Sequence, residues 1–355
     1  MGNFRLRSAA EQVAAHLRSE LAGGVWREEM PGESALAKGL GVNPKTVQAA
    51  ISLLVRDGLL ESQGERKPRR IRQLADTTAR RSLRVGMLLG DAFDRKAEYI
   101  TEVHHQLSVR GHAPFFVRKT LSDLGQDAGR VAALVDRTPA DAWLVVAAPS
   151  PVIEWFVGSS RPVFGLFGFF GRHPIAGAGP DKATAYAEVA HTLVAQGHRR
   201  IVLLARSQRR EPLPGRGELA FLRTLGESGI EVGDYHFPRW ENTREGFQHC
   251  LEGLFLVNPP TALMVQETTL FGAVQQFLSA RGIWVPQDIS LVCDDPDPTF
   301  EWRVPTVAHI SWDSAPWIRR VSRWADNIAR GKDDRRRMLS PSEFVMGGTI
   351  GPVPG

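Results

Sequence analysis

Only two cysteines, Cys250 and Cys293, occur in 355 residues. They lie far apart with no metal-ligand spacing around them, so two buried thiols in a reducing cytoplasm are expected, not a disulfide framework. Long hydrophobic runs are missing as well. A membrane span needs about 18 uninterrupted apolar residues, and the nearest candidate, AWLVVAAPSPVIEWFVG, is broken by Pro149, Pro151 and Glu154. The opening MGNFRLRSAAEQ lacks the apolar core of a signal peptide, so neither export nor a membrane partner is expected. Catalytic signatures are absent too: no nucleophile elbow, Walker loop or HExxH pattern occurs. No catalytic residue, cofactor or enzyme activity is therefore expected. His104, His105 and His112 fall on different faces of a predicted helix, which argues against a metal site.

What is present is a soluble globular composition, 43% hydrophobic and 23% charged, in a chain long enough for two or three domains. The charge is unevenly divided. Residues 1–82 hold 14 Lys and Arg against 9 Asp and Glu, and the remainder holds 30 against 30. A basic first quarter joined to a neutral remainder suggests a nucleic-acid-facing module on a second, different one.

The first eighty residues contain a recurring helical pattern. AAEQVAAHLRSELAGG, from Ala9 to Gly24, carries Val13, Leu17 and Leu21 on one stripe and ends at its glycine pair. MPGESALAKGLGV places Pro31 at a helix start with Leu36, Ala37 and Leu40 facing inward. After Gly41, Asn43 is a good N-cap and Pro44 a good first residue for the next helix. That helix buries Val47, Ala50, Ile51, Leu54 and Val55 and turns Lys45, Gln48, Ser52 and Arg56 outward, towards solvent or a ligand. Helix, glycine turn and helix make a helix-turn-helix. LLES and RIRQL then read as strands around the turn QGERKPRR, a basic wing containing Arg66, Lys67, Arg69 and Arg70.

This order resembles the winged-helix domain of the GntR family of bacterial repressors, over roughly Ser8 to Arg72. The matching residues are MPGESALAKGLGV, NPKTVQAAISLLVRDGLLE and Gly64 in the wing. Double-stranded operator DNA is the partner this implies. A recognition helix enters the major groove N-terminus first, which puts Asn43, Lys45, Thr46 and Gln48 in reach of bases and phosphates. Gln can pair with adenine and Lys can donate to guanine. Ser34 and the first-turn amides of the preceding helix would hold a phosphate, and Arg66 and Lys67 would add wing contacts. The family often has arginine where this chain has Ser34, and on the recognition helix where it has Lys45 and Gln48, so the operator sequence is not inherited.

QLADTTARRS, Gln73 to Ser82, is polar and aperiodic and reads as a linker. The expected domains are thus 1–72, a linker at 73–82, and 83–355. From RVGMLLG onward, apolar strands alternate with amphipathic helices, including AWLVVAA, RPVFGLFG and TALMVQETTLFGAVQQFLSARGI. Such alternation predicts an α/β protein with parallel sheets, and some 270 residues suit two lobes with a cleft between them. ELAFLRTLGESGI is expected to repeat the helix-strand unit. GLFGFFGRHPIAGAG lacks the context of a dinucleotide loop and reads as the crossing between lobes. DDRRR, Asp333 to Arg337, reads as a solvated turn and EFVMGGTI as the last strand.

DKATAYAEVAHTLVAQGHRRIVLL, Asp181 to Leu204, and PPTALMVQETTLFGAVQQFLSARGIWVPQDISLVCDDPDPTF, Pro259 to Phe300, resemble the LacI/GalR regulators and their periplasmic sugar-binding relatives. The resemblance implies a type 1 periplasmic-binding-protein fold with two lobes, three crossover strands, a small molecule in the cleft and usually a homodimer. It gives Asp294 as a hydroxyl acceptor and Glu267 in the place of a usual aspartate. It also gives Asp91 and Phe93 after the first strand, and Trp302 as a ring to stack on a ligand or plug the lobe interface. Relatives often carry an arginine three residues before a Gly-Phe pair. Here that pair is Ala220-Phe221, position 217 is glycine, and Arg216 stands one place off. The function expected is a cytoplasmic, homodimeric transcription regulator, a repressor controlled by a sugar or related metabolite. Two alternatives stand beside it: a C-terminal domain that only dimerises, or a small-molecule-binding protein with no DNA role.

Overall fold

The computed structural model describes residues 8–22, 26, 29–57, 59–61, 69–71, 81–168, 170–206, 210 and 213–355. The chain divides into two compact units, Met1–Arg81 and Ser82–Gly355.

In the first unit, α1 (Ala9–Ala22) is entered through a reciprocal cap. Ser8 N donates to Glu11 Oε2 at 2.7 Å, and Glu11 N donates to Ser8 Oγ at 3.3 Å. Helix α2 (Glu33–Leu40) closes at Gly41, and Asn43 starts α3 (Pro44–Arg56) by accepting from Lys45 N at 2.9 Å. The apolar stripes meet in one core that includes Leu17, Leu36, Val47, Ile51 and Leu54. Strands β1 (Glu29–Met30), β2 (Leu60–Glu61) and β3 (Arg69–Ile71) form an antiparallel sheet in the order β1-β3-β2. Strands β2 and β3 thus overlap the expected LLES and RIRQL, with β3 starting one residue earlier, at Arg69; Ser62 and residues 72–74 lie outside the described residues. Strand β1 was not anticipated, because two residues carry no period and its partner lies some forty residues on.

The second unit is α/β, as expected. Its first lobe contains β4 (Arg84–Leu88), β5 (Ala113–Phe116), β6 (Ala142–Val146), β7 (Val163–Leu166) and β8 (Ala176–Asp181). Its helices are α4 (Glu98–Val109), α5 (Ala128–Arg137) and α6 (Ser150–Gly158). The second lobe contains α7 (Ala183–Ala195), β9 (Ile201–Leu204), α8 (Arg216–Glu227), α9 (Arg244–Val257), β10 (Ala262–Val265), α10 (Thr268–Ala280), β11 (Ser290–Cys293) and β12 (Ala308–Trp312). The chain then returns to the first lobe with α11 (Ala315–Ala329), whose Trp317, Val321 and Trp324 pack among the residues of β4 and β6. Last, β13 (Arg337–Val345) joins the lobes. Its residues 337–341 run parallel to β8, and 342–345 run antiparallel to β12. The strand order β5-β4-β6-β7-β8-β13-β12-β11-β10-β9 is parallel except at that one pair. Apolar cores cover both faces of each lobe, which is why the strands read as unbroken hydrophobic runs.

Three expectations are corrected here. The glycine-rich stretch is not itself the crossing: it contains the end of β7 and most of β8, and the chain crosses afterwards, at Lys182. Its glycines have a packing cause. The Phe170 ring lies on both strands, so a Cβ at Gly177 would sit 2.3 Å from it and one at Gly165 2.6 Å from its Cβ. No strand follows α8; the segment after it only touches the edge of β9, where Leu203 N donates to His236 O at 2.8 Å. DDRRR is solvated at Asp333, Arg335, Arg336 and Arg337 but not at Asp334. Asp334 is buried and accepts from Arg320 Nη2 at 2.7 Å and Asn327 Nδ2 at 2.7 Å, and Arg337 opens β13. A buried guanidinium on α11 needed a counter-ion, and composition does not reveal that pairing.

Cys293 is buried and Cys250 half-buried, both free. His104 stacks on Phe116 with centroids 5.1 Å apart, while buried His112 faces Asp326 at 3.4 Å.

Candidate functional site

On the first unit, Lys45, Gln48, Ser52 and Arg56 form an exposed polar stripe along α3, while Thr46 is half-buried. Asn43 is exposed, but its Oδ1 is used as the helix cap. Ser34 is exposed in the first turn of α2. Gly64, Arg66 and Lys67 lie outside the described residues.

On the second unit, a cleft of about 1420 Å3 opens between the lobes. Its floor is built by the crossings. Lys182, between β8 and α7, donates from Nζ to the carbonyl of Asp294 at 2.8 Å, to Asp294 Oδ2 at 3.0 Å and to Asp295 Oδ1 at 2.6 Å. Trp312, ending β12, donates from Nε1 to Asp295 Oδ1 at 3.1 Å. Tyr186 OH donates to Asp294 Oδ2 at 2.9 Å, and Glu267 N donates to Asp294 Oδ1 at 2.9 Å. Gln266 Nε2 donates to the Tyr186 oxygen at 2.9 Å and to buried Glu218 at 2.6 Å. Asp294, the expected hydroxyl acceptor, is therefore a buried hub whose two oxygens already accept three hydrogen bonds. Burial would lower the Lys182 pKa, but Asp294 and Asp295 outweigh it and hold the ammonium above its ordinary value.

Glu267 lies at the start of α10 with φ of 63°, a conformation that costs a non-glycine residue about 1–3 kcal/mol. Ala147 and Phe167, also with positive φ, line the same cleft. Arg206, just beyond β9, forks onto both Glu267 oxygens from Nε at 2.9 Å. It also approaches Asp91 Oδ2 of the first lobe at 3.6 Å and lies 5.7 Å from the Phe93 ring, so it links the lobes. Burial pushes the Glu267 carboxyl up to about 7, against the pull of Arg206. Native Glu267 thus keeps a proton that the unfolded chain has lost between its ordinary pKa of 4.5 and about 7. Its contribution to stability is full below that window and lost as pH rises through it. The stability advantage of the wild type over Glu267→Gln, followed by urea unfolding, is accordingly expected to fall between pH 4.5 and 7. A difference that stays flat would show the carboxylate to be ionised throughout.

One wall is aromatic. Tyr99, Phe167 and Trp312 meet edge to face, with centroids 5.3 to 5.9 Å apart. Of the residues expected at the cleft, Phe93, Arg216, Glu267 and Asp294 line it, and Asp91 stands behind through Arg206. Arg216 reaches Asp181 Oδ2 at 3.2 Å. Trp302 does neither thing expected of it: it ends a 3-10 turn, Pro298–Trp302, with 88% of its surface exposed, outside the cleft. With three residues per turn, Phe300 and Trp302 cannot share a face, and Phe300 takes the buried one against Phe271. A side chain at position 217 would be crowded by packing. A Cβ there would sit 3.2 Å from the Tyr186 ring, which its bond to Asp294 holds in place. Sequence reasoning missed Lys182, Tyr186, Asp295, Arg206 and the Tyr99–Trp312 wall. Only Lys182, Tyr186 and Asp295 had a signal, since they fall inside the two blocks that carry the LacI/GalR resemblance.

The model of the gntR family of bacterial regulatory proteins matches residues 9–67, and that of the periplasmic binding protein-like domain matches residues 190–350. The chain thus joins a head similar to the gntR family of bacterial regulatory proteins to a periplasmic-binding-protein-like domain, the composition of a transcription regulator. Solved structures share its fold. A LacI family regulator from Bifidobacterium animalis subsp. lactis is 20% identical, with a TM-score of 0.60 over 76% of this chain and 98% of its own. The transcription regulator CcpA of Lactococcus lactis is 14% identical, with a TM-score of 0.62 over 76% and 100%. The regulator CelR, in complex with cellobiose, is 16% identical, with a TM-score of 0.62 over 97% and 100%. No curated protein matches by sequence. Among the described residues, no helix is long and apolar enough to cross a membrane, and no group of three or more His, Cys, Asp and Glu could hold a metal.

Proposed function

We propose that this regulator is a cytoplasmic, homodimeric repressor whose winged heads read an operator and whose cleft binds a small-molecule effector. The cleft carries the reading: about 1420 Å3 between two lobes, with a polar floor and an aromatic wall, is the form of a small-molecule site. The similar regulator CelR is solved in complex with cellobiose, which makes a sugar or sugar-like molecule the first class to test. On the head, Ser34, Asn43, Lys45, Thr46 and Gln48, with Gly64, Arg66 and Lys67 of the wing, are the residues assigned to DNA. In the cleft, Phe93, Arg216, Glu267 and Asp294 are assigned to the effector, with Asp91 acting through Arg206.

Coupling follows from linkage. An effector that prefers one state of lobe closure shifts the protein towards it, and operator affinity changes only if the two states present the heads differently. Arg206, bridging Glu267 and Asp91, is the contact that closure would make or break. A second reading, a C-terminal unit that only dimerises, draws on the occupied oxygens of Asp294 and on Gly217. A metabolite screen on the full chain separates the two. A true effector at a hundred times its Kd should stabilise the native state by about 2.7 kcal/mol and raise Tm accordingly, while changing operator affinity. A broad screen with no shift would favour dimerisation alone.

A further inference from the structure

Among the described residues, eight Asp and Glu side chains line the cleft against four Lys and Arg. Yet the chain beyond residue 82 holds as many basic as acidic residues. The imbalance is therefore local to the cleft. At the floor, Asp294 and Asp295 share the single ammonium of Lys182. Glu267 shares Arg206 with Asp91, and Asp94 lies beside Asp91, accepting from its backbone N at 2.8 Å. At the floor, five carboxyl groups thus share two cations in a half-buried, low-dielectric setting, where an unbalanced charge is costly, while Lys96, Arg216 and Arg337 line other parts of the cleft. Beside Asp295, whose Oδ1 accepts from Trp312 Nε1, is the Tyr99, Phe167 and Trp312 wall, and the Phe93 ring lies 5.7 Å from one guanidinium. Aromatic faces attract cations.

We propose that the effector is a cation: an amine- or ammonium-bearing small molecule whose charge lies at the Glu267 and Asp295 carboxylates, beside the Tyr99–Trp312 wall. A neutral polyol would leave the excess negative charge uncompensated, and an anion would add to it. The raised pKa of Glu267 and of Asp94, each caused first by burial and then in part by neighbouring carboxylates, agrees with a site short of positive charge.

This inference rests on the reading that the cleft binds an effector, and the test separates the two. The full chain is titrated, by thermal shift and calorimetry, with a panel sorted by charge. Glucosamine, choline and spermidine are the cations, glucose, N-acetylglucosamine and cellobiose the neutral members, and glucose 6-phosphate and citrate the anions. Saturable binding is expected from a cation, with glucosamine ahead of N-acetylglucosamine by about tenfold or more, the worth of one good charged contact. Glu267→Gln, verified as folded by its own cooperative melt, should weaken the cation by a similar factor. If a neutral or anionic member binds as tightly as the best cation, the charge inference is overturned and the cleft reading stands. If no member binds, the cleft reading falls and this inference with it.

Discussion

Replacing Lys45 and Gln48 together by alanine is expected to abolish operator-specific binding while leaving the melting temperature unchanged. Both side chains are exposed on α3, and the helix is held by the opposite face, where Val47, Ala50, Ile51 and Leu54 are buried. Each side chain that pairs with a base edge contributes about 1–3 kcal/mol of discrimination, so the pair accounts for roughly 2–6 kcal/mol per head. That is a loss of about thirtyfold or more, before a second head is counted. The duplex is obtained by selecting random sequences on the wild-type chain, and footprinting of both proteins gives the comparison. Salt-dependent, non-specific binding should survive in the double variant, because other basic residues still meet phosphates. A folded double variant that gives the wild-type footprint would remove α3 from the reading surface.

Lys182→Met should be the most destabilising single change at the cleft. The substitution keeps the length and apolar stem of the side chain but leaves Asp294 and Asp295 without their ammonium. Removing one partner of a buried ion pair costs about 3–5 kcal/mol. In a domain of this size that corresponds to a fall in Tm of roughly 6–20 °C. Acid should partly rescue the variant. Burial and Asp295 already push the Asp294 carboxyl above its ordinary pKa, and without Lys182 it rises further. The Asp294 carboxylate then takes up a proton more readily in the native state than in the unfolded chain, so the stability lost is regained as pH falls. Urea unfolding at pH 5 and pH 8 measures this. Equal stability of variant and wild type at pH 8 would show that Lys182 does not neutralise the pair.

Much of the architecture was legible in the residues because it follows from short-range rules. The stripe of α3, the cap at Asn43 and the turn at Gly41 are set within a few positions of one another, so the helix-turn-helix can be read along the chain. The alternation of apolar runs and amphipathic segments likewise announces α/β lobes, and the two longest matching blocks contain Lys182, Tyr186, Glu267, Asp294 and Asp295. What those residues do was not legible. Asp294 reads as a free acceptor until Lys182, Tyr186 and the Glu267 amide converge on it from other elements. Trp302 reads as a cleft aromatic until the tight turn gives the buried place to Phe300.

The sequence by itself determined that a basic winged head precedes a neutral α/β domain, since periodicity, capping and charge are properties of neighbours along the chain. Only the tertiary structure decided the chemistry of the cleft. Lys182 and Trp312 reach its floor because the chain crosses between lobes at those two points, 130 residues apart. Arg206 meets Glu267 because β9 and β10 are adjacent in the sheet. A side chain at Gly217 would crowd the Tyr186 ring, which comes from α7. Each of these is a contact between residues distant in sequence, and burial, which sets both the charge balance and the pKa of Glu267, exists only once such contacts form.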